Sequence, residues 1–248
     1  HDLFPRSFIL NLPAPSNYMG PEQVFGLAAN AADEVDKVHA LPIIRQVDDF
    51  ATWLPDRHKS EHMLGNDLPF SLREAVLSFL LGGAVRALRG DVNKHQSMLI
   101  HVTRFTLVQE QVKQQVQDFL DDVNNRLEFG EGSNPWLKDQ LEQLYKDDFV
   151  STLHKIHDGE SKLANQVGEL HEWSEVFNAL PAVVEKTRVH VVNGTSDDLL
   201  DYVDHPDGLS VIAIGGDKLS RGLTLEGLSV SYFLRSSRMY DTLMQMGR

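Results

Sequence analysis

The chain contains no cysteine. Disulfides, thiolate zinc sites and cysteine nucleophiles are therefore excluded, and the absence fits a cytoplasmic protein. No apolar run reaches about 18 residues, the length a membrane-crossing helix needs. The first residues also lack the basic-then-apolar order of a secretory signal. No membrane association is expected, and the cytoplasm is the expected location. Positive charge is scarce: 23 Lys and Arg stand against 36 Asp and Glu, for a net charge of -13. That balance argues against a surface broadly coated for nucleic acid. Trp53, Trp136 and Trp173 are isolated along the chain and form no array on which bases would stack. They read as core or interface residues.

What is present is unevenly distributed. From Val211 to Arg248 the basic residues Lys218, Arg221, Arg235, Arg238 and Arg248 outnumber Asp217, Glu226 and Asp241, so this segment carries +2 and residues 1–210 carry -15. The C-terminal segment is where an anionic ligand would be tolerated. A chain of 248 residues permits one large domain or two small ones.

The clearest helix is "PFSLREAVLSFLLGGAVRALRG". Pro69 precedes it, Ser71 and Glu74 have the spacing of a capping box, and Gly90 can terminate it. Its apolar residues lie on nearly every side, which predicts burial. Gly82 and Gly83 inside it read as points of close helix packing. "SMLIHV", Ser97–Val102, predicts a buried strand. Val108, Val112, Val116, Phe119, Val123 and Leu127 then recur as one stripe of an amphipathic helix. "SFILNL" near the N-terminus, "RVHVV", "SVIAI" and "LSVSYFL" predict further strands. From Ser97 the order is strand, helix, helical excursion, strand, short helix, strand, charged loop, strand, helix. Continuous apolar strands alternating with helices imply an α/β fold with a parallel sheet covered by helices on both faces. Ligands in such sheets sit at the carboxyl ends of the strands. The loop after "SVIAI" lies at one of those ends.

That loop, "GGDKLSRGLTLEG", combines backbone freedom at Gly215, Gly216 and Gly222 with the carboxylate of Asp217 and the planar fork of Arg221. By composition it suits either a ligand loop or a surface loop with an Asp–Arg pair. Its order resembles motif V of superfamily-two helicases, Thr-Asp-x-x-x-Arg-Gly-x-Asp. Asp217, Arg221 and Gly222 fall on the Asp, Arg and Gly, while Gly216 replaces the Thr and Thr224 the final Asp. "QMGR", Gln245–Arg248, resembles the start of motif VI, Gln-x-x-Gly-Arg-x-x-Arg, whose second arginine is expected beyond residue 248. "SMLIHVTRFT" occupies the place of motif IV.

The blocks "FPRSFILNLPAPSNYMG", "LPFSLREAVLSFLLGGAVRALRG", "SMLIHVTRF" and "GGDKLSRGLTLEGLSVSYFLRSSRMYDTLMQMGR" resemble the Z1 domain family, whose members carry an endonuclease label. The resemblance implies a RecA-like lobe, the C-terminal one of a helicase-type pair, at residues 96–248. A helical insertion is expected at about 131–187, and a strand, turn and helical segment at 1–95. It implies that ATP and Mg are shared with a separate N-terminal ATPase lobe of the same protein, and that DNA is a partner, in a bacterial defence setting. Within that reading Arg248, with Gln245 beside it, meets the terminal phosphate. Asp217, Arg221, Gly222 and Gly216 couple nucleotide state to nucleic-acid grip, and Arg104, Thr103 and Lys218 contact nucleic acid. No Gly-x-x-x-x-Gly-Lys-Ser/Thr loop occurs, so this chain alone is not expected to hydrolyse ATP.

Two alternatives accompany that reading. One is a Mg-dependent endonuclease, although no Glu-x-Lys follows Pro55-Asp56 in a strand. The other is a non-catalytic interaction module. "HKSEH", His58–His62, matches a zinc-protease pattern in reverse, but Pro55 precedes it and no third ligand is identifiable; it reads as a solvated turn. No metal site is expected in this chain. His101, inside an apolar strand, reads as a core histidine.

Overall fold

The computed structural model describes residues 24, 26, 40–158, 168–192, 202–216 and 225–234. By its contacts the chain divides into two units, 1–44 with 152–168 and 45–151 with 169–248. In the first, Thr152 Oγ1 donates to Pro42 O at 3.4 Å. The second contains every strand described below. The strand expected at "SFILNL" and the helix expected after the last strand lie outside the described residues; of the stretch where a short helix is expected between the second and third strands of the lobe, residues 202–209 are described and hold the 3-10 turn Tyr202–Asp204.

The elements run α1 Phe70–Leu88, β1 Gln96–His101, α2 Thr106–Phe129, α3 Leu137–Leu144, a π-helical segment Tyr145–Val150, α4 Ser151–Asp158, α5 Trp173–Lys186, β2 Thr187–Val192, a 3-10 turn Tyr202–Asp204, β3 Ser210–Gly215 and β4 Leu228–Phe233. The four strands form one sheet in the order β2-β3-β1-β4, and every pairing is parallel. The inner strands β1 and β3 are buried at every position, as their apolar centres Met98–Ile100 and Val211–Ile214 require. Exposed residues occur on the outer strands, Arg188 on β2 and Ser229 and Ser231 on β4.

Register explains how one layer of helices finds the sheet. Met98 lies level with Ile212 and Val230, and Ile212 with Val189. These residues, with Ile100, Ile214, Val191 and Tyr232, face the core built by α1, α2, α3 and α5. On the opposite face Val192, Val211 and Ala213 are buried, packed among the described residues with Leu209, Tyr202 and Leu225. The result is an α/β fold of parallel strands flanked by helices, compatible with the layout of a RecA-like lobe. The turn into β4 needs Gly227 (φ 66), where a Cβ would lie 2.0 Å from His95 O.

The expected capping box of α1 does not form. Pro69 is the N-cap, Ser71 already lies inside the helix, and no side chain of the helix caps its own start. Asp49 does so from outside: Ser71 N donates to Oδ2 at 2.9 Å and Ser71 Oγ to Oδ1 at 2.5 Å. A full negative charge held against the first-turn amides satisfies donors that Ser71 and Glu74 would otherwise have shared. Ser71 Oγ also bonds Tyr232 Oη on β4 at 2.8 Å, and burial outweighs that bond to push the Tyr232 hydroxyl up to about 12. The far end follows the sequence: Gly90 (φ 87) turns the chain, with Gly90 N bonded to Ala87 O and Asp91 N to Arg86 O, a Schellman motif.

The stripe on α2 is buried as expected at Val108, Val112, Val116 and Val123, with Leu120 beside them and Phe119 and Leu127 partly covered. Trp53 is a core residue, 2% exposed. Trp136 stacks on Phe119, and Trp173 packs against Tyr145 and Phe177. His101 is fully buried and stacks on Phe233 with ring centroids 4.8 Å apart.

Candidate functional site

In the order β2-β3-β1-β4, β1 sends the chain one way, to β2, and β3 sends it the other way, to β4. The carboxyl ends of β1 and β3 therefore flank a topological switch point, the place where open parallel sheets bind ligands. Two short segments meet there. β1 leaves through Val102–Phe105 into α2, and β3 leaves through Gly216. A Cβ at Gly216 would lie 3.0 Å from Gln109 Nε2, 3.3 Å from Arg104 Cα and 3.4 Å from Thr103 O. Glycine is what lets the two strand ends approach this closely.

Of the residues expected at the site, the structure brings Thr103, Arg104 and Gly216 together. Asp217, Lys218, Arg221, Gly222, Gln245 and Arg248 lie outside the described residues, as do Arg235 and Arg238. The Asp217–Gly222 segment directly follows Gly216 in the chain.

Thr103 is 2% exposed, and its polar atoms are occupied. Phe105 N donates to its Oγ1 at 3.2 Å, Gln109 Nε2 donates to its carbonyl at 3.0 Å, and His58 Nε2 meets Oγ1 at 2.7 Å. Arg104 is exposed. Its guanidinium lies over the Phe105 ring at 5.0 Å and forms no ion pair among the described residues. The first turn of α2 carries no acidic residue, so its positive dipole end stands unneutralised beside Arg104. Guanidinium, helix start and close backbone approach suit an anionic group. Gln109, buried at 2% exposure, leaves Oε1 without a hydrogen-bond partner among the described residues.

Two residues of this arrangement were not among those the sequence suggests. Gln109 sits one position from the valine stripe, and no motif marks it. His58 reads as part of a solvated turn, or as half of a zinc pair with His62. The structure corrects the turn: His58 is half-buried, with Nδ1 against Pro55 O at 3.1 Å and Nε2 against Thr103. His62 Nε2 lies 3.3 Å from Trp53 O, and no cluster of three metal-ligating side chains exists among the described residues. A separate cleft of about 240 Å³ is lined by Asn66, Asp67, Leu68, Arg73, Gln115, Asp118 and Phe119, and contains none of the expected site residues.

The model of the Z1 domain family matches residues 71–248, well over half of the chain, and the chain belongs to that family. Neither the curated proteins nor the solved structures compared with it contain a match. The match begins one residue into α1, so Asp49, Trp53 and His58 precede it although all three are built into the same unit.

Proposed function

We propose that this chain is the second lobe of a helicase-like, ATP-dependent DNA translocase or remodeller that acts in defence against foreign DNA. The observation that carries this reading is the crevice between β1 and β3. There the backbone of Thr103 and Arg104 and the Gln109 side chain of α2 close in on Gly216, the residue before the motif-V-like Asp217. In this reading Asp217, Arg221 and Gly222 couple nucleotide state to DNA grip, and Arg104 and Lys218 meet the DNA backbone; Thr103, expected to join them, is buried and bonded within the protein, and so supports Arg104 instead of touching DNA. Gln245 and Arg248 reach an ATP molecule whose phosphates and Mg are held by a first, ATPase lobe. A guanidinium delivered from one lobe to a nucleotide bound on another offsets the charge that develops as the terminal phosphoryl group departs.

Arg248→Ala, made in a polypeptide carrying both lobes, tests this. DNA-stimulated ATP hydrolysis is expected to fall about a thousandfold or more, with circular dichroism unchanged. Unaltered turnover would remove Arg248 from the reaction.

A further inference from the structure

We infer that His58 is a positioning residue for the anion contact at the β1–β3 crevice, fixing Arg104 from a segment that precedes the family match. The inference rests on the reading of that crevice given above and adds to it a residue and its means of action.

With His58 neutral, the chemistry of the partners fixes the direction of every bond. Pro55 O can only accept, so the proton of the His58 ring sits on Nδ1 and is donated to it. A neutral ring then presents Nε2 as an acceptor, and the Thr103 hydroxyl donates to it across 2.7 Å. The Thr103 oxygen keeps a lone pair for Phe105 N–H at 3.2 Å. The relay therefore runs from Phe105 N–H to Thr103 Oγ1, from the Thr103 hydroxyl to His58 Nε2, and from His58 Nδ1–H to Pro55 O. The Thr103 hydroxyl donates once and accepts once, and each ring nitrogen of His58 makes one bond.

Arg104 is the residue between the two that this relay holds. Thr103 is pinned through its hydroxyl by His58 and through its carbonyl by Gln109. Phe105 is pinned through its amide by Thr103, and its ring meets the His58 ring edge-on at 5.6 Å. The guanidinium of Arg104 in turn rests on the Phe105 ring. The backbone on both sides of Arg104 and the surface under its side chain are thus held by the His58 imidazole together with Gln109, while the charged group remains exposed. Pre-organising a long cation in this way lowers the entropy lost when it binds.

Two measurements on the full chain test this. The first needs no ligand: the ¹⁵N spectrum of the imidazoles is expected to show His58 as the Nδ1–H tautomer. An Nε2–H tautomer would break the relay and overturn the inference. The second follows binding of a fluorescein-labelled oligothymidylate over a range of salt concentrations. Arg104→Ala is expected to weaken binding about fivefold. It should also make the slope of log affinity against log salt shallower by about 0.7, one phosphate contact on a single strand. His58→Leu should reproduce both changes and add nothing to Arg104→Ala. His58→Gln, whose amide can accept from Thr103, should restore the slope. General loosening of the fold lowers the active fraction and leaves the slope alone, so the slope separates positioning from stability. A wild-type slope in His58→Leu beside a reduced one in Arg104→Ala overturns the inference and leaves the proposed function standing. If Arg104→Ala changes neither quantity, the proposed function of this edge fails and the inference falls with it.

Discussion

Residues 45–69 and the helices α3 and α5 join the same core by different means. The helices dock through apolar stripes: Leu137 and Leu141 on α3, and Val176, Leu180 and Val184 on α5, are all buried. Their interior backbone groups bond along the helix, with Glu131 taking the first amides of α3, so their core-facing side chains need only exclude water. The segment 45–69 has no such repeat. It contributes Trp53, Leu54 and Leu68 to the core, and its irregular backbone must find hydrogen-bond partners elsewhere. Two glutamines one turn apart on α2 supply them. Gln115 accepts from Trp53 Nε1 and donates to Gly65 O, both at 2.7 Å. Gln111 accepts from Leu64 N at 3.1 Å and donates to His62 O at 3.0 Å. Each amide uses both of its ends. A polar helix face can therefore hold an irregular strap as specifically as an apolar face holds a helix.

If that strap is as integral as the helices, removing its anchor should be as damaging as removing a helix core residue. Trp53→Ala deletes a side chain that is 2% exposed and orphans Gln115 Oε1. It is expected to lower the unfolding free energy by about 3–5 kcal/mol in urea denaturation, the range for a buried aromatic truncation. Leu80→Ala on α1, fully buried, is the matched control at about 2–5 kcal/mol. A loss under about 1 kcal/mol for Trp53→Ala would show that the strap is peripheral and that the boundary of the family match is also the boundary of the folding unit.

On the helical side the sharpest probe is the Gly82-Gly83 pair. A Cβ at Gly83 would lie 2.6 Å from Gln96 Oε1 and 2.7 Å from Val183 Cγ1. Gln96 cannot swing aside cheaply, because its Nε2 donates to Phe79 O inside the core. Gly83→Ala is expected to cost about 1–3 kcal/mol through overpacking. At Gly82 nothing lies within 4 Å, so Gly82→Ala should stabilise the protein by up to about 1 kcal/mol through helix propensity. Thermal unfolding of the two variants should shift in opposite directions. Shifts of the same sign would contradict the packing described for α1 against α5 and β1.

How much was legible follows the same division. Strands β1 and β3 and the stripe of α2 could be read because burial on both faces, or on one helical face, imposes a repeat on the sequence. Close packing was legible at Gly83 but not at Gly82, since a glycine reports freedom and not which neighbour uses it. The crevice at the strand ends was legible as a meeting place of Thr103, Arg104 and Gly216, through the order of segments resembling helicase motifs. It was not legible at His58, whose partner Thr103 lies 45 residues away and whose spacing to His62 mimics a metal pair. The cap of α1 was misread for the same physical reason. Ser71 and Glu74 carry the local pattern, but Asp49 makes the bonds, 22 residues upstream. Local patterns record propensity, and long-range hydrogen bonds leave no periodic trace.

Asp49 supplies the smallest and most conditional test of the strap. Burial pushes its carboxyl upward, but the bonds from the Ser71 hydroxyl and from the amides of Ser71 and Phe70 outweigh that and hold it below its ordinary value of 3.8. A carboxyl depressed in the folded state stabilises fully above the unfolded value, and that contribution is lost as pH falls through the folded one. Asp49→Asn cannot titrate. At neutral pH it is expected to be less stable by about 1 kcal/mol, the size of a lost helix cap. The gap should close as the pH falls below about 4. Glu74 opposes this trend, since burial and then the charge of Asp49 raise its carboxyl, and it gains stability on protonation. The comparison is therefore cleanest in a Glu74→Gln background, with urea midpoints measured against pH. A gap that stays constant into acid would mean that the Asp49 carboxylate does not cap α1, and one of the polar attachments of the strap would be lost from the account.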